Sequence, residues 1–275
     1  MKVKWLLGKG TFHENIHLIA EEIQRQGMEY KVVDYAPFSD DIDFNEYGED
    51  DCVIFYGSIG HANLIRKKSK WIPGIFYNQK AYDCKNYYPA LGPYLLNSNY
   101  MLIPFGDLLR QKEFLFDKLG SRDTIFIRPD YGGKSFTGTI VYKETFEKFI
   151  DTIGFGQLDF GTLLVVSEPR NLVAEWRFLV VENQVVTGSQ YRNEFGLKYK
   201  ADYPAEAFEL AQKVAKSYNP DKAWMVDICQ TKEGNFYLLE IGCFSCAGIY
   251  LCDREIMIRE VSRVALEEWK EYNDP

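Results

Sequence analysis

The chain has little of what marks several protein classes. Among its 275 residues there are 6 cysteines, 3 histidines and 10 prolines. No apolar run approaches the ~18 residues of a membrane span. Met1-Lys2-Val3-Lys4-Trp5-Leu6-Leu7-Gly8 lacks the apolar stretch and small-residue cleavage site of a secretory leader. This start is expected to be the first strand of a cytoplasmic protein. Basic charge is also scarce: 32 Lys and Arg against 40 Asp and Glu give a net charge of −8. That balance argues against a nucleic-acid binder held by bulk electrostatics, while leaving room for an anionic ligand in a locally basic cleft. The six cysteines are too few for a disulfide scaffold. Cys243 and Cys246 form a Cys-x-x-Cys pair without the second pair zinc needs, so they are expected as buried free thiols.

Apolar content is ample, at 46%, enough for a sizeable core. Val3–Leu7 reads as a strand. Ile16, Ile19, Ala20 and Ile23 lie at helical spacing, and Gly27 closes that helix. Further strands are expected at Tyr30–Val33, Cys52–Tyr56 and Ile72–Tyr77, with a helix near 62–70 whose cluster Arg66, Lys67, Lys68 and Lys70 faces solvent. Strands alternating with helices indicate a parallel α/β domain. Gly8, Gly10 and Asp34 faintly suggest a dinucleotide fold, but His13 stands where the third glycine belongs. His13 and His17 are four apart on a helix, with no third metal ligand in range. The acidic stretch Asp40–Asp51 is expected as an exposed loop.

After Asn97 the pattern changes. Asp107 is expected to cap a helix running to Leu119, followed by strands Ile125–Arg128 and Thr139–Tyr142, a helix Phe146–Ile153 and a strand Leu163–Ser167. Two hairpins follow, Glu175–Val181 with Gln184–Tyr191 and Ala223–Gln230 with Phe236–Ile241, around a helix Ala205–Tyr218. A last helix spans Ile256–Trp269. Hairpins interspersed with helices read as α+β. The expected domains are therefore 1–98 and 99–275.

Three constellations carry chemistry. If Thr231 and Phe236 close the last hairpin, Asp227 lies opposite Glu240, with Val226, Ile228, Leu239 and Ile241 on the core face. Like charges in register need something positive between them. A Mg²⁺ ion bound by these carboxylates and by substrate phosphates would serve; so would pairing with Arg or Lys, or protonation of one carboxyl. The second constellation is Arg128-Pro129-Asp130-Tyr131-Gly132-Gly133-Lys134-Ser135-Phe136-Thr137-Gly138. Its glycines allow backbone N–H groups to approach phosphate oxygens, which Arg and Lys would neutralise. It is not a P-loop, because Arg128 occupies the first glycine position and a strand follows. A plain hairpin loop is the alternative. The third constellation is Ser167-Glu168-Pro169 followed by Glu175-Trp176-Arg177, with Arg192 just past the partner strand. It fits either nucleotide and carboxylate binding or a surface salt-bridge ladder.

Taken in order over residues 99–252, these motifs resemble the ATP-grasp superfamily. The resemblance is strongest to ribosomal-protein glutamate ligases and small phage and bacterial ATP-grasp proteins. Glu175-x-Arg177 through Val181 to Arg192, then Asp227-Ile228 and Leu239-Glu240-Ile241, are similar to that family's series. The resemblance implies an α/β N-terminal domain, pre-ATP-grasp-like with a parallel sheet, followed by an α+β ATP-grasp domain. It also implies ATP and Mg²⁺ as cofactors. Arg128 and Lys134 would hold phosphates, Glu168 would lie at the adenine hinge, Glu175 would bind ribose, and Asp227 and Glu240 would carry the metal. Lys85 stands in for the family's upstream lysine. Lys134, Arg177 and Arg192 are the implied catalytic cations. Two departures stand out: Arg128 replaces the family's lysine, and Gly242 replaces the asparagine two residues after the metal-binding Glu. The implied activity is a carboxylate–amine ligase working through an acyl phosphate. The alternatives are a kinase acting on a hydroxyl and a catalytically weakened nucleotide-binding module. An amino acid, peptide, protein terminus or modified nucleobase would be an admissible substrate; neither a membrane nor nucleic acid is an expected partner.

Overall fold

A computed structural model of the chain describes residues 2–9, 16–34, 46–132, 136–154 and 158–273. Three sheets organise it. The first is parallel, in the order β2-β1-β3-β4, from β1 (Lys4–Gly8), β2 (Glu29–Val33), β3 (Cys52–Tyr56) and β4 (Ile72–Gly74). All five residues of β3 are buried, as expected of a parallel strand covered on both faces. Helix α1 (Ile16–Arg25) buries Ile19, Ala20 and Ile23. Gly27 then takes φ +74° and ends the turn, a conformation that only glycine adopts cheaply. Helix α2 spans Ile59–Lys68, with its basic end in solvent.

The second sheet is antiparallel, in the order β5-β8-β6-β7, from β5 (Tyr100–Pro104), β6 (Thr124–Pro129), β7 (Thr139–Tyr142) and β8 (Leu163–Ser167). Helices α4 (Lys112–Leu119) and α5 (Phe146–Gly154) cover it, and Leu115, Phe116, Ile125, Ile127, Phe146 and Leu164 form its core. The third sheet, also antiparallel, runs β11-β10-β9-β12-β13, from β9 (Leu172–Val181), β10 (Gln184–Asn193), β11 (Gly196–Lys200), β12 (Ala223–Thr231) and β13 (Phe236–Cys243). Helix α6 (Ala205–Ser217) packs on one face of it. Helix α3 (Cys84–Leu91) lies before β5. The last helix, α7 (Arg254–Asn273), returns to the parallel sheet, where Trp5 Nε1 donates to Ser262 Oγ at 3.1 Å.

Several local expectations need correction. Asp107 does not cap α4: it ends a 3-10 turn and pairs with Arg110 at 2.9 Å, while α4 begins five residues later, at Lys112. β4 stops at Gly74, where φ is +67°, rather than reaching Tyr77. Strands β5 and β11 were not expected. β11 is an exposed edge strand of five residues, and although Leu197 and Tyr199 alternate with Lys198 and Lys200, so short a pattern with no buried face does not stand out from a loop. His13 and residues 40–45 of the acidic stretch lie outside the described residues; within the rest of it, Asp51 pairs with Lys4 at 2.7 Å. All six cysteines are free thiols.

The last hairpin holds the expected pair by a different route. Asp227 does face Glu240, but the ladder closes at Gln230 and Phe236, and a bulge between Asp227 and Ile228 leaves Leu239 without a cross-strand partner. Leu238, not Leu239, is the residue fully buried in the core. In a regular strand Leu238 and Glu240 would share a face. The extra residue in the bulge turns Leu238 to the core and Glu240 to the opposite side.

Candidate functional site

The bulge sets up a charged row across the sheet. In register from β13 inward stand Glu240, Asp227, Arg177 and Ser189. Glu175 lies two residues before Arg177 in β9, so it shares that face. Two neighbouring carboxylates in a row require compensation, and arginines supply it. Arg177 grips Asp227 with both ends of its fork: Nε to Oδ1 at 2.8 Å and Nη2 to Oδ2 at 2.7 Å. Its Nη1 donates to Gly248 O at 3.0 Å, and its plane lies over the rings of Tyr191 and Tyr250. From the facing sheet Arg128, on β6, donates through Nη2 to Glu240 Oε2 at 3.1 Å. Side-chain exposure is 2% for Asp227 and 11% for Arg177. A buried, bidentate pair of this kind is geometrically fixed, and removing one partner strands a charge.

Two cavities open on this face. The larger, about 430 Å³, is walled by Arg128, Gly132, Arg177, Glu240, Gly242 and Arg254, with Tyr77, Tyr82, Tyr199 and Tyr250 adding aromatic surface. The smaller, about 350 Å³, lies between the two antiparallel sheets and is lined by Phe126 and Ile140 on one side and Leu172, Glu175, Arg192 and Leu239 on the other. Burial pushes the Glu175 carboxyl up, against the hydrogen bond it accepts from the Tyr191 hydroxyl. Its partner Arg192 sits opposite it inside β10, at 3.8 Å and half exposed, rather than past the strand end as expected. Arg177 and Arg192 therefore line different cavities.

The remaining sequence candidates fall in separate places. Glu168 is half-buried beside Arg170, at 3.6 Å, and lines a third hollow that shares Ile140, Arg170 and Asn171 with the smaller cavity. Lys85, at the start of α3, is committed to two carboxylates: Nζ lies 2.7 Å from both Asp83 and Asp130, and its backbone N–H donates to Asp130 Oδ1. That arrangement ties α3 to the start of the glycine loop. Lys134 lies outside the described residues.

The donors fit one kind of metal site. Glu240 offers hard oxygens to the cavity, Asp227 beside it would have to give up one of its two contacts with Arg177 to reach a metal, and no group of three His, Cys, Asp or Glu side chains able to hold a metal occurs among the described residues. Two carboxylates suit a Mg²⁺ that keeps water and phosphate ligands of its own, not a self-sufficient cage. Arg254, on the first turn of α7, was missed by the sequence reading. A cation is disfavoured at a helix start, and an arginine there was the signal available.

Known proteins can now be set beside this geometry. A family profile described as the ATP-grasp domain, R2K clade family 2, matches residues 113–259. Among curated protein sequences, none matches the chain. A crystal structure of a D-cycloserine synthetase superposes with a TM-score of 0.70 at 11% identity, covering 96% of this chain and 99% of the other. A RimK-domain ATP-grasp protein from Sphaerobacter thermophilus gives 0.60 at 13% identity, covering 97% of this chain and 98% of the other. A D-alanine–D-alanine ligase from Bacillus anthracis gives 0.59 at 17% identity, covering 99% of this chain and all of the other. These likenesses establish a shared fold, with the parallel sheet preceding the two antiparallel ones. On the profile match, which covers more than half of the chain and takes in β6 to β13, the chain belongs to the ATP-grasp domain family of the R2K clade.

Proposed function

We propose that the protein is an ATP-dependent carboxylate–amine ligase. The observation that carries this reading is the meeting of Arg128 and Glu240 from facing sheets at the wall of a cavity that also holds Arg177 and Arg254. Cations and carboxylates converge there beside space of small-molecule size. The names of structural neighbours that join amino acids support the same reading.

In this account the smaller cavity takes the nucleoside, with Glu175 at the ribose and Glu168 toward the base. The phosphates run toward Arg128 and the glycine loop carrying Lys134. Mg²⁺, when bound at Asp227 and Glu240, would neutralise phosphate charge as a Lewis acid. A substrate carboxylate oxygen attacks the γ-phosphorus and ADP leaves, giving an acyl phosphate. The amine nitrogen then attacks the acyl carbon, phosphate leaves, and the nitrogen loses a proton to give the amide. The chain's part is positioning and charge neutralisation. Arg128 faces the transferring group, Arg177 holds Asp227 in place and presents positive charge to the cavity, and Arg192 steadies Glu175. Lys85 anchors the loop through Asp130. The division at residue 98 gives the N-terminal unit a share in the substrate wall through Ile59, Tyr77 and Tyr82.

One feature favours a second reading, a nucleotide-binding module with weakened chemistry: Gly242 offers no third metal ligand. The test is ADP release with a panel of carboxylic acids and amines, followed by mass spectrometry of the products. Amide formation with stoichiometric ADP is expected. A phosphorylated product without an amide would mean a kinase, and nucleotide binding without turnover by any pair would mean the module.

A further inference from the structure

Three arginines wall the larger cavity, and two of them are committed. Arg128 is spent on Glu240 and Arg177 on Asp227. Arg254 is partly buried and, among the described residues, makes no hydrogen bond or ion pair with any side chain. Its neighbours on α7 do otherwise: Arg259 pairs with Glu260, and Arg263 with Glu182, Glu260 and Glu267. The adjacent acids are also engaged elsewhere, since Asp253 accepts from the Ile256 N–H and Glu255 pairs with Arg25. In a chain carrying eight more acids than bases, an arginine left without a carboxylate in a cavity wall is positioned for one brought by a ligand.

We infer that Arg254 binds a second, non-reacting carboxylate of the substrate, so that the amine acceptor is an amino acid rather than a simple amine. This rests on the ligase reading and specifies its acceptor. An amino acid offers its own carboxylate as a competitor for the γ-phosphate. A guanidinium on α7, a different element from Arg128 on β6, holds that carboxylate by a planar two-point contact and leaves the amine free to attack. Tyr250 and Leu251, beside Arg254 in the same wall, face the rest of the acceptor.

The test is calorimetric titration of the full chain with a panel of L- and D-amino acids, each paired with its carboxamide. Titrations run with and without a non-hydrolysable ATP analogue and Mg²⁺. At least one acid should bind about 10- to 100-fold more tightly than its amide, the size of one charge-assisted contact. Arg254→Leu should abolish that preference with an unchanged melting temperature, and Arg254→Lys should restore part of it. Equal binding of acid and amide, a preference that survives in Arg254→Leu, or binding of no panel member would overturn the inference. Acid-selective binding without ADP release would refute the ligase reading and leave the Arg254 site standing.

Discussion

The two cavities on the charged face are built differently. At the larger one, Asp227 and Arg177 are buried and locked in a bidentate pair flanked by two tyrosine rings. At the smaller one, Glu175 is buried but its cation, Arg192, is 54% exposed and 3.8 Å away. The first arrangement is rigid and closed off from solvent. The second leaves the cation free to move. A site that must align a transferring phosphoryl group gains from the first, and a pocket that only needs to admit a sugar and base tolerates the second.

The sharpest way to break this contrast is Arg177→Met. Leaving Asp227 buried without its partner should cost about 3–5 kcal/mol of folding stability, read by urea unfolding. Arg177→Met combined with Asp227→Leu should recover most of that loss. A single variant within about 1 kcal/mol of wild type would mean the pair is not locked.

Next in size is a group that holds the cavity wall. Asp221 accepts from the Tyr82 hydroxyl at 2.6 Å and the Asn78 N–H at 2.9 Å, and burial pushes its carboxyl up to about 6. Because the folded protein holds this proton more tightly than the unfolded chain, the group's stabilising effect is complete below about pH 4. It is lost as the pH rises to about 6. Asp221→Asn should therefore gain about 2–3 kcal/mol over wild type at pH 8 and nothing at pH 4. Unfolding at the two pH values checks this, and an equal difference at both would remove the titration account.

Gly242→Asn sharpens the comparison by adding the missing oxygen donor at the rigid end. A Cβ there meets only Met225 Cβ, at 4.0 Å. Mn²⁺ binding in the presence of nucleotide should tighten about tenfold, roughly 1.4 kcal/mol, measured by electron paramagnetic resonance. At the loose end, Arg192→Met should change stability by no more than about 1 kcal/mol. A loss as large as that of Arg177→Met would erase the contrast.

Much of this was legible in the sequence. The alternation of apolar runs gave the parallel sheet and the order of the hairpins, and the hairpin register placed Asp227 against Glu240. The loop assumed for that hairpin was wrong by one residue. A bulge cannot be read from alternation, and here its extra residue restored the register at the carboxylates. The role of Arg177 was half visible: its charge and face could be inferred from spacing, but not its commitment to Asp227, which depends on β9 lying beside β12. The pairing of Lys85 was hidden for a similar reason, since its partners include Asp130, 45 residues away. Arg254 enters the cavity only because α7 folds back on the parallel sheet. Contacts between distant segments, rather than local pattern, decide these cases.

The central claim is that Asp227 and Glu240 receive a nucleotide together with its metal. Titration of a non-hydrolysable ATP analogue into wild type and Glu240→Gln, each with and without Mg²⁺, tests it most directly. The account predicts that Mg²⁺ strengthens binding to the wild type at least about tenfold and that Glu240→Gln removes that gain. Affinity indifferent to Mg²⁺, or a gain undiminished in Glu240→Gln, would contradict it.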